Sequence, residues 1–401
     1  MQYRTMKSTG DRLSILGFGC MRFPTKGVMT PDTERIEQQI VSAIHQGVNY
    51  FDTAYTYPNS ENVLGSVLAK GYRDKVKIAT KLPLPLVHKR EDIERFFVEQ
   101  LQRLQTDHID YYLMHGINTY EDWLKLKGLG IEEFIKTEQA NGRIINIGFS
   151  FHGNIKAFKQ LVDDYPWDFC QIQYNYVDEN FQAGTEGLHY AHEKGLGIII
   201  MEPLRGGTLI GKMPPKAQQI MDGIQPKQSP AALALRWVWN HPEVSVVLSG
   251  MNAEAHIEEN VKVASTALPD MLTQKELDAL DDIKAEFEKN TKVPCTGCAY
   301  CMPCPFGVDI PYCFAMYNSK SMFGGLPPVF HYLSGTSGAK SATGTVSRAS
   351  QCKHCGACEA HCPQHIPIRK HLKDASNTME TWYYKALNSV FDRVMHSEKK
   401  S

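Results

Sequence analysis

Four side chains that can hold or move a proton stand where short apolar runs end. Asp52 closes the run that begins at Tyr50, and Tyr57 follows five residues later. Lys81 and His115 come directly after two further runs of the same kind. These groups form one site only if the strands are parallel neighbours, because the carboxyl ends of parallel strands meet at one edge.

Together the four groups predict the addition of hydride to a carbonyl. A phenol has an unperturbed pKa near ~10; an ammonium at Lys81 lowers that pKa, and Asp52 keeps Lys81 charged and oriented. Tyr57 then donates a proton to an oxygen that becomes anionic, and His115 hydrogen-bonds the same oxygen. Hydride needs a donor, for which nicotinamide is usual. Singly, these residues also suit a structural ion pair, a packed aromatic or a core histidine; their joint arrival favours the catalytic interpretation.

The elements that must position these residues repeat along the first 290 residues. Continuous apolar runs alternate with helical stretches, which indicates an α/β fold with a parallel sheet covered by helices. Eight runs favour a closed (β/α)8 TIM barrel over an open doubly wound sheet. The open sheet usually carries Gly-x-Gly-x-x-Gly after its first strand, whereas the segment 17–22 stops after two glycines. The predicted strands are Leu16–Cys20, Tyr50–Thr53, Val76–Thr80, Tyr111–Met114, Ile144–Phe149, Phe169–Tyr174, Leu196–Met201 and Val244–Leu248; predicted helices include Thr33–His45, Arg90–Gln105, Ile131–Asn141, Ile155–Asp163, Pro230–Asn240 and Ala255–Ala264.

Composition bounds the class of protein. The chain has 401 residues, 42% of them hydrophobic, and a formal net charge of -1, which gives no reason to expect nucleic acid or an anionic membrane as partner. No apolar run approaches the length of a transmembrane helix, and the polar start, which suits a small hairpin up to Asp11, lacks the core of a signal peptide. We therefore expect a cytoplasmic protein. Only Cys20 and Cys170 of eleven cysteines precede residue 290, which predicts a barrel domain over 1–288 and a second domain over 289–401.

The cysteines of the second domain form two closely spaced runs. Cys352-x2-Cys355-x2-Cys358-x3-Cys362-Pro363 is the bacterial ferredoxin pattern, in which the fourth cysteine serves the other cluster. The earlier run is one residue shorter before its last cysteine, so one cluster is better supported than two. Zinc bound by four cysteines and disulfides fit this pattern less well. The predicted ligand sets for [4Fe-4S] clusters are Cys295, Cys298, Cys301 and Cys362 for one, and Cys352, Cys355, Cys358 and Cys304 for the other.

The remainder of this smaller, mostly helical ferredoxin-like domain is less regular. Its internal segment Ser334–Ser350 is rich in Gly, Ser and Thr and predicts a long extended loop. Cys313 lies outside both runs and is predicted to be a core thiol. His371–His396 predicts a C-terminal helix whose aromatic residues pack against the barrel or against a second subunit; these are Trp382, Tyr383, Tyr384 and Phe391.

The strand-end motifs resemble the catalytic tetrad of the aldo-keto reductases. The resemblance covers about residues 10 to 270 and includes the glycine-containing first strand, the fifth strand and the sixth strand. The barrel followed by two cysteine runs resembles a prokaryotic branch of that family with an iron–sulfur domain. The segments that carry the resemblance are Phe51-Asp52-Thr53-Ala54-x-x-Tyr57, Ala79-Thr80-Lys81, Asp110-x-x-x-Met114-His115, Leu16–Gly19, Gly142–Ser150 and Gln171–Asn175.

The resemblance implies an oxidoreductase with NADP or NAD extended across the barrel mouth. Ser150 and Gln171 would hold the nicotinamide carboxamide, the segment after the seventh strand would support the ring, and the loop after the eighth would hold the adenosine end. The cofactor-contacting residues so implied are Gly19, Met21, Ser150, Gln171, Met201, Pro203, Leu204, Ser249, Gly250, Met251, His256, Glu259 and Asn260.

Two departures from the family pattern bear on this expectation. Phe151 and His152 follow the fifth strand, where the family often has other residues. The loop 249–260 contains no Lys or Arg, although NADPH-selective members usually place a cation there for the 2′-phosphate. His256, or a cation from elsewhere, would have to replace it, so the sequence leaves NADPH and NADH open.

Three functional hypotheses follow from a two-electron cofactor beside one-electron clusters. In the first, a small-molecule aldehyde or ketone is reduced at Tyr57, and the clusters are structural or regulatory. In the second, ferredoxin or another electron carrier feeds the clusters, which deliver electrons to a flavin or to the substrate. In the third, the chain is a redox sensor or electron carrier whose barrel no longer catalyses. The intact tetrad argues against the third, and the first is favoured; the substrate and the oligomeric state stay open.

Overall fold

The computed structural model describes residues 1–26, 30–211, 213–295, 297, 301–337, 346–362 and 365–382. Eight parallel strands form a closed barrel in the order β3-β6-β7-β8-β9-β10-β11-β12 and back to β3, which confirms the predicted (β/α)8 class. All eight predicted strands are present, with ends that differ by a few residues. The strands are β1 Tyr3–Thr5, β2 Arg12–Ser14, β3 Leu16–Gly19, β4 Thr25–Lys26, β5 Thr30–Pro31, β6 Tyr50–Asp52, β7 Lys77–Leu82, β8 Ile109–Met114, β9 Ile144–Phe151, β10 Phe169–Gln173, β11 Gly197–Met201 and β12 Val246–Ser249.

Two strands run further than their apolar runs predicted. β7 continues to Leu82, so Lys81 lies within the strand and not after it. β9 continues to Phe151 and takes Ser150 into the ladder. Lys81 and Ser150 can occupy these strand positions because partners inside the barrel satisfy their hydrogen-bonding groups. An apolar sequence pattern alone does not reveal those partners.

The helices occupy the connections between the strands and include every helix predicted for the first 290 residues. α2 and α3 approach closely at Gly65, where a Cβ would lie 2.4 Å from the carbonyl oxygen of Arg103, so this position requires glycine. The helices are α1 Thr33–His45, α2 Ser60–Leu68, α3 Arg90–Leu104, α4 Tyr120–Gly128, α5 Ile131–Ala140, α6 Ile155–Asp164, α7 Gly184–Glu193, α8 Pro215–Gly223, α9 Pro230–Trp239, α10 Glu254–Ala264, α11 Gln274–Glu288, α12 Ile310–Phe323, α13 Pro327–Thr336, α14 Ala357–Ala360 and α15 Ile368–Met379.

The barrel interior has two parts. The lower part, towards the amino ends of the strands, is apolar, and the upper part, towards their carboxyl ends, is polar. The N-terminal hairpin of β1 and β2 supplies Met6 and Leu13 to the apolar part, where a Cβ on Gly197 would lie 2.3 Å from the Met6 sulfur. Two residues further along β6, β7 and β10, the inward positions carry Asp52, Lys81 and Gln171, because alternate side chains of a strand point to the same face. The apolar layer comprises Met6, Leu13, Tyr50, Ala79, Tyr111, Leu113, Phe169, Ile199, Val246 and Leu248.

The chain divides into two compact units, described here separately. The first comprises residues 1–210 and 224–280, and the second comprises 211–223 and 281–401. The second unit therefore takes α8 from the connection between β11 and β12, and Lys216 on α8 lies 3.2 Å from Glu286 on α11. Its core is built mainly from α12, α13 and α15, and the buried Asn318 fixes the chain before the first cysteine run by bonding the backbone of Val293 through both ends of its amide.

The last predicted helix is interrupted after Met379. α15 ends at Met379, and residues 383–401, with Tyr383, Tyr384 and Phe391, lie outside the described residues. Trp382 is 79% exposed in the single chain, and its packing against the barrel or a second subunit stays a prediction. The predicted loop Ser334–Ser350 begins within α13 and is described only at its two ends. Within the described part of the chain, no helix is both long and apolar enough to cross a membrane.

Candidate active site

A buried ion pair occupies the upper interior of the barrel. The Nζ of Lys81 donates to Asp52 Oδ1 at 2.6 Å and to the carbonyl oxygen of Thr53 at 2.8 Å. The two side chains are 1% and 5% exposed, so both charges are removed from water and depend on each other. The pairing of β6 with β7 brings them together, as the sequence predicted for adjacent parallel strands.

Tyr57 and His115 stand above this pair. The Lys81 ammonium lies 5.3 Å from the centre of the Tyr57 ring, and the Tyr57 and His115 rings meet edge to face at 6.1 Å. Both rings are half-buried, so a molecule at the barrel mouth can reach them while the ion pair below stays dry. The structure thus brings together the four predicted catalytic side chains.

The direction of the pKa shift of Tyr57 differs from the expectation. Burial raises the pKa of Tyr57 above its usual range, and Asp52 adds to the rise, whereas Lys81 lowers it. Lys81 acts in the predicted direction, but its charge is largely offset by Asp52, so desolvation decides the net pKa. Burial lowers the pKa of Lys81, yet Asp52 and Tyr57 raise it more, and the net pKa lies above the usual value. Tyr57 is therefore a neutral phenol beside a charged lysine.

This arrangement predicts the pH dependence of carbonyl reduction. A proton donor must carry its proton, and a raised pKa moves the loss of that proton to higher pH. We expect kcat/KM for reduction to stay nearly constant from neutrality to about pH 9 and to fall only above it. Dinucleotide binding measured over the same range separates the titration of Tyr57 from loss of cofactor. A fall in kcat/KM centred below about pH 8, with binding intact, would contradict the prediction.

Two further polar residues of the upper interior are partners of the tetrad segments. Gln171 Nε2 donates to Asp52 Oδ2 at 2.9 Å, so both oxygens of that carboxylate are engaged. Ser150 pairs with Gln171 across β9 and β10, and its Oγ accepts a hydrogen bond from the backbone N of Gly116 at 2.8 Å. These two implied nicotinamide contacts are both buried and adjacent to the ion pair.

A second polar network holds β7 from outside the barrel, and the sequence analysis did not find it. Gln100 on α3 donates to the carbonyl oxygen of Lys81 at 3.0 Å and to Glu61 Oε1 at 2.8 Å. Thr80 donates to the same Glu61 oxygen at 2.6 Å. Burial raises the pKa of Glu61, while Thr80, Gln100 and Arg103 lower it. Gln100 and Glu61 lie on helices with no motif to mark them, and only the fold shows that they fix the backbone of Lys81.

The other implied cofactor residues surround the mouth after β3, β11 and β12. A Cβ on Gly19 would lie 3.4 Å from the carbonyl oxygen of Ser249, so these two loops are in contact. Asn260 Nδ2 donates to Ser249 Oγ at 3.0 Å and ties α10 to the end of β12. Exposure then separates the set: Met21, Gly250 and His256 are exposed, Met201, Leu204 and Glu259 are half-buried, and Pro203, Met251 and Asn260 are buried. Met251, at 1% exposure, is the least accessible to a bound molecule.

A cation stands where three of these loops meet. Arg22 Nη2 lies 3.2 Å from the position of a Cβ on Gly206, after β11, and Arg22 Cβ lies 3.8 Å from the corresponding position on Gly250, after β12. Its guanidinium has no ion-pair partner in the part of the chain that the structure describes. Phosphate groups commonly bind at the loops after strands seven and eight of such barrels. An extended dinucleotide fits these residues. Gly206 and Gly250 have no side chains to block it, Arg22 brings a positive charge to the mouth, and Ser150 and Gln171 bring polar groups to the interior.

The described cysteines of the two runs lie at the edge of the second unit's core. Six are half-buried and Cys355 is exposed; Cys298 lies outside the described residues. No disulfide joins the described cysteines. Burial raises the pKa of Cys358, and Glu359, Cys352 and Cys304 add to the rise, so Cys304 of the first run lies near the second run. Cys313 is fully buried with its sulfur near the carbonyl oxygen of Ser347, which confirms a core thiol.

The donor set of the second unit fits an iron–sulfur cluster. Among the described residues, no three or more His, Cys, Asp or Glu side chains stand close enough to hold a single metal ion. In a [4Fe-4S] cluster each thiolate binds a different iron, so the four ligands stand further apart than those of one ion. Two runs of thiols around one small core, with Cys304 near Cys358, suit this larger group.

An eight-stranded parallel barrel with a charged, buried layer at the carboxyl ends of its strands defines a TIM-barrel protein with a site at that face. The model of the aldo/keto reductase family matches residues 15–284, and that of a 4Fe-4S dicluster domain matches residues 294–366. The chain belongs to the aldo-keto reductase family and is an oxidoreductase that carries a 4Fe-4S ferredoxin-type domain after the barrel.

Named relatives agree with this assignment. An uncharacterized oxidoreductase, YrpG of Bacillus subtilis (strain 168), is 31% identical over 234 residues, which span 53% of this chain and 69% of the relative. A probable voltage-gated potassium channel subunit beta of Arabidopsis thaliana is 25% identical and spans 71% of this chain and 96% of its own. The fold matches the holo form of aldo-keto reductase AKR11C1 from Bacillus halodurans, with a TM-score of 0.59, 24% identity and coverage of 71% and 96%.

Proposed function

We propose that this protein reduces an aldehyde or ketone with NADH or NADPH, with Tyr57 as the proton donor. The observation that carries the proposal is the buried pair of Lys81 and Asp52 directly beneath two accessible rings, Tyr57 and His115. Burying a charged pair is costly, and a purely structural barrel gains nothing from it that an apolar pair would not supply. A neutral phenol beside a fixed ammonium suits transfer of a proton to an oxygen that gains negative charge.

Each residue of the site has a separate role in this proposal. His115 and Tyr57 hydrogen-bond the substrate's carbonyl oxygen and thereby orient its carbon towards the interior. The Lys81 ammonium stabilises the phenolate that remains when Tyr57 gives up its proton, and Asp52 holds Lys81 in place. The buried Ser150 and Gln171 would hold the nicotinamide amide, and Arg22 would bind the diphosphate. The bound nicotinamide supplies the hydride, which the protein's own side chains cannot.

The cysteines of the second unit are proposed to hold one or two [4Fe-4S] clusters. One set is Cys352, Cys355, Cys358 and Cys304; the other is Cys295, Cys298, Cys301 and Cys362. The proximity of Cys304 to the second run supports the crossed assignment. Such clusters supply one-electron transfer, so they are separate from a two-electron hydride step.

The proposal is tested by measuring carbonyl-dependent oxidation of NADH and NADPH in wild-type protein and in Cys355→Ser. Cys355 is exposed, and its loss is expected to bleach the visible absorbance of one cluster while turnover per folded molecule changes less than twofold. Cys313→Ser, a change of thiol to hydroxyl outside both runs, is the control for general damage to the second unit. Loss of turnover in Cys355→Ser with folding intact would contradict the role of the barrel as an independent catalyst.

A second candidate function is electron transfer from an external carrier through the clusters. The exposure of Cys355, flanked by the exposed Lys353 and His354, favours it because a cluster held there is accessible to an acidic carrier. Anaerobic titration with NADH and with NADPH, without any carbonyl, distinguishes the two. If the cluster absorbance bleaches as nicotinamide is oxidised, the two centres exchange electrons. If it persists, nicotinamide does not reduce the clusters. Turnover of a carbonyl with reduced ferredoxin or viologen as electron source, lost in Cys355→Ser, would then support the external carrier, and its absence would leave the barrel as the independent catalyst.

A further inference from the structure

The second cysteine run lies in a strongly basic stretch of the chain. Between Asp309 and Asp374 the sequence contains seven Lys and Arg residues and a single carboxylate, that of Glu359. The formal net charge of the whole chain is -1, so acidic residues elsewhere balance this local surplus of positive charge. A surplus of one sign at one part of a surface creates a potential that the net charge of the whole chain does not reveal.

An ion pair places part of this charge beside the cysteines. Glu359 follows Cys358; its Oε2 accepts from Arg369 Nε at 2.9 Å, and its Oε1 accepts from the backbone N of Arg369 at 2.8 Å. The Arg369 guanidinium also lies over Gly356, where a Cβ would be 3.5 Å from Nη1. Because Gly356 and Glu359 flank Cys358 in the sequence, the first turn of α15 lies against the second cysteine run.

α15 has an apolar face and a basic face. Three cations at its amino end, Arg369, Lys370 and Lys373, are exposed and lie within about 100° of one another around the helix axis. The apolar face holds the helix in the core of the second unit, so the direction of the basic face is fixed. The buried residues of the apolar face are Ile368, Leu372, Ala375 and Met379.

Most of the cations beside the second run have no compensating charge. Within the described part of the chain, Lys353, Lys370 and Lys373 take part in no ion pair, whereas Arg369 is paired with Glu359. Lys353 lies between Cys352 and the exposed Cys355 in the sequence and is itself exposed. The basic rim is the name used below for these four cations, which are Lys353, Arg369, Lys370 and Lys373.

An acidic protein is the partner that the basic rim fits. Its cations are exposed and are spread over a loop and a helix, so they suit an extended surface of opposite charge. Such charges guide association over a distance of about 10 Å at 0.1 M salt. The rim adjoins Cys355, a proposed ligand of a cluster that transfers single electrons. A nucleic acid or a lipid surface would match the charge but would make no use of that cluster.

We propose that the basic rim docks an acidic one-electron carrier protein, which exchanges an electron with the cluster held by Cys352, Cys355, Cys358 and Cys304. No bond forms or breaks in this step: the reduced carrier is oxidised by one electron, and the oxidised cluster is reduced by one. The inference rests on the proposed cluster and specifies the chemistry of the carrier and the surface that receives it.

The test is the binding of oxidised plant-type [2Fe–2S] ferredoxin, a small acidic carrier, to the anaerobically purified holoprotein by calorimetry. No electron moves between two oxidised partners, so the dissociation constant reports docking alone. The affinity is expected to fall about tenfold or more when salt rises from about 0.01 M to about 0.1 M, because the Debye length shortens from about 30 Å to about 10 Å.

Two double variants make the outcome specific. Lys370→Glu/Lys373→Glu reverses two charges of the basic rim and is expected to weaken ferredoxin binding about tenfold or more at low salt. Lys136→Glu/Lys156→Glu makes the same change in net charge at exposed positions on α5 and α6 and is expected to change the affinity by less than about threefold. Circular dichroism and the visible spectrum check folding and cluster content in both.

The kinetics of cluster reduction provide a second readout. The rate at which reduced ferredoxin bleaches the cluster absorbance is expected to fall in Lys370→Glu/Lys373→Glu in parallel with the affinity. The rate with reduced methyl viologen, a small cation that the basic rim does not attract, is expected not to fall. Equal losses with both reductants would show that the substitutions damage the cluster and would contradict docking at the rim.

The possible results separate the inference from the proposed function. If the anaerobic protein has no cluster absorbance, the proposed cluster is wrong, and the inference falls with it. If the cluster is present but ferredoxin does not bind at low salt, or binds the wild type and Lys370→Glu/Lys373→Glu equally, only the docking surface is overturned. Tighter binding of a double-stranded DNA fragment than of ferredoxin, lost in the same variant, would assign the surface to nucleic acid and overturn the carrier.

Discussion

Tyr57→Phe is expected to lower the rate of carbonyl reduction by about two to four orders of magnitude, the range that a positioned proton donor contributes. The phenylalanine ring preserves the stacking volume beside His115 and removes only the hydroxyl. The carbonyl oxygen then keeps only the hydrogen bond from His115 and has no phenol to protonate it. The Lys81 ammonium cannot replace the phenol, because Asp52 and the carbonyl oxygen of Thr53 hold it below. The measurement is the single-turnover rate of NADH oxidation with saturating carbonyl substrate.

The matched control for this variant is Tyr55→Phe. Tyr55 lies two residues earlier on the same loop but turns to α3, where its hydroxyl donates to Glu99 at 2.8 Å and its ring packs edge-on against Phe96. Its loss is expected to change the single-turnover rate by less than threefold. Dinucleotide affinity is expected to be unchanged in both variants. A Tyr57→Phe protein that keeps a third of the wild-type rate would rule Tyr57 out as the donor.

Lys81→Met is expected to abolish reduction and to lower the free energy of unfolding by about 3–5 kcal/mol, because Asp52 is left as an uncompensated buried charge. Gln171 still donates to one oxygen of Asp52, but it brings no positive charge. The unfolding free energy is measured by urea denaturation of the anaerobic holoprotein, with fluorescence of the barrel tryptophans as the probe. The double variant Lys81→Met/Asp52→Asn is expected to recover most of the lost stability and none of the activity.

Lys77→Met serves as the control on the same strand. Lys77 stands at the start of β7, 34% exposed, and its Nζ lies 3.3 Å from Asp11 and 3.4 Å from Asp110 at the opposite end of the barrel. Asp110 keeps a second partner in Arg73, so no buried charge is orphaned. We expect a loss of at most about 1 kcal/mol and normal turnover. Equal losses in the Lys77 and Lys81 variants would show that the pair in the upper interior has no special role.

The barrel is predictable from sequence because its strands are buried on both faces. Runs such as Leu196–Met201 have no polar face, and their number and order specify a closed parallel sheet. The limits of the strands are less predictable, since Lys81 and Ser150 extend β7 and β9 only because partners inside the barrel receive them. The helix expected from His371 differs in another way, because α15 already begins at Ile368 and is interrupted after Met379, where the apolar pattern gives no sign of a break.

Some residues of the site are also recognisable from the local sequence, whereas others are not. Asp52 and Lys81 are recognisable because each ends an apolar run on neighbouring strands, a local signal. The bond from Gln171 to Asp52 joins residues 119 positions apart. No periodicity encodes such a distance. The pKa of Tyr57 was misjudged for a related reason, because a neighbouring lysine is visible in a motif whereas the desolvation of a phenol is not.

The ferredoxin-type unit is not a module joined by a single linker. Residues 211–223, between β11 and β12, belong to that unit, and α8 within them buries Ala217 and Met221 and pairs Lys216 with Glu286. A chain cut at residue 288 would lose the nine cysteines of the second domain but keep residues 211–223. The apolar face of α8 would then lack most of the unit to which it belongs. The two stretches of this unit are separated in the chain by α9, β12 and α10, so the unit can be completed only after the last strand of the barrel has been synthesised.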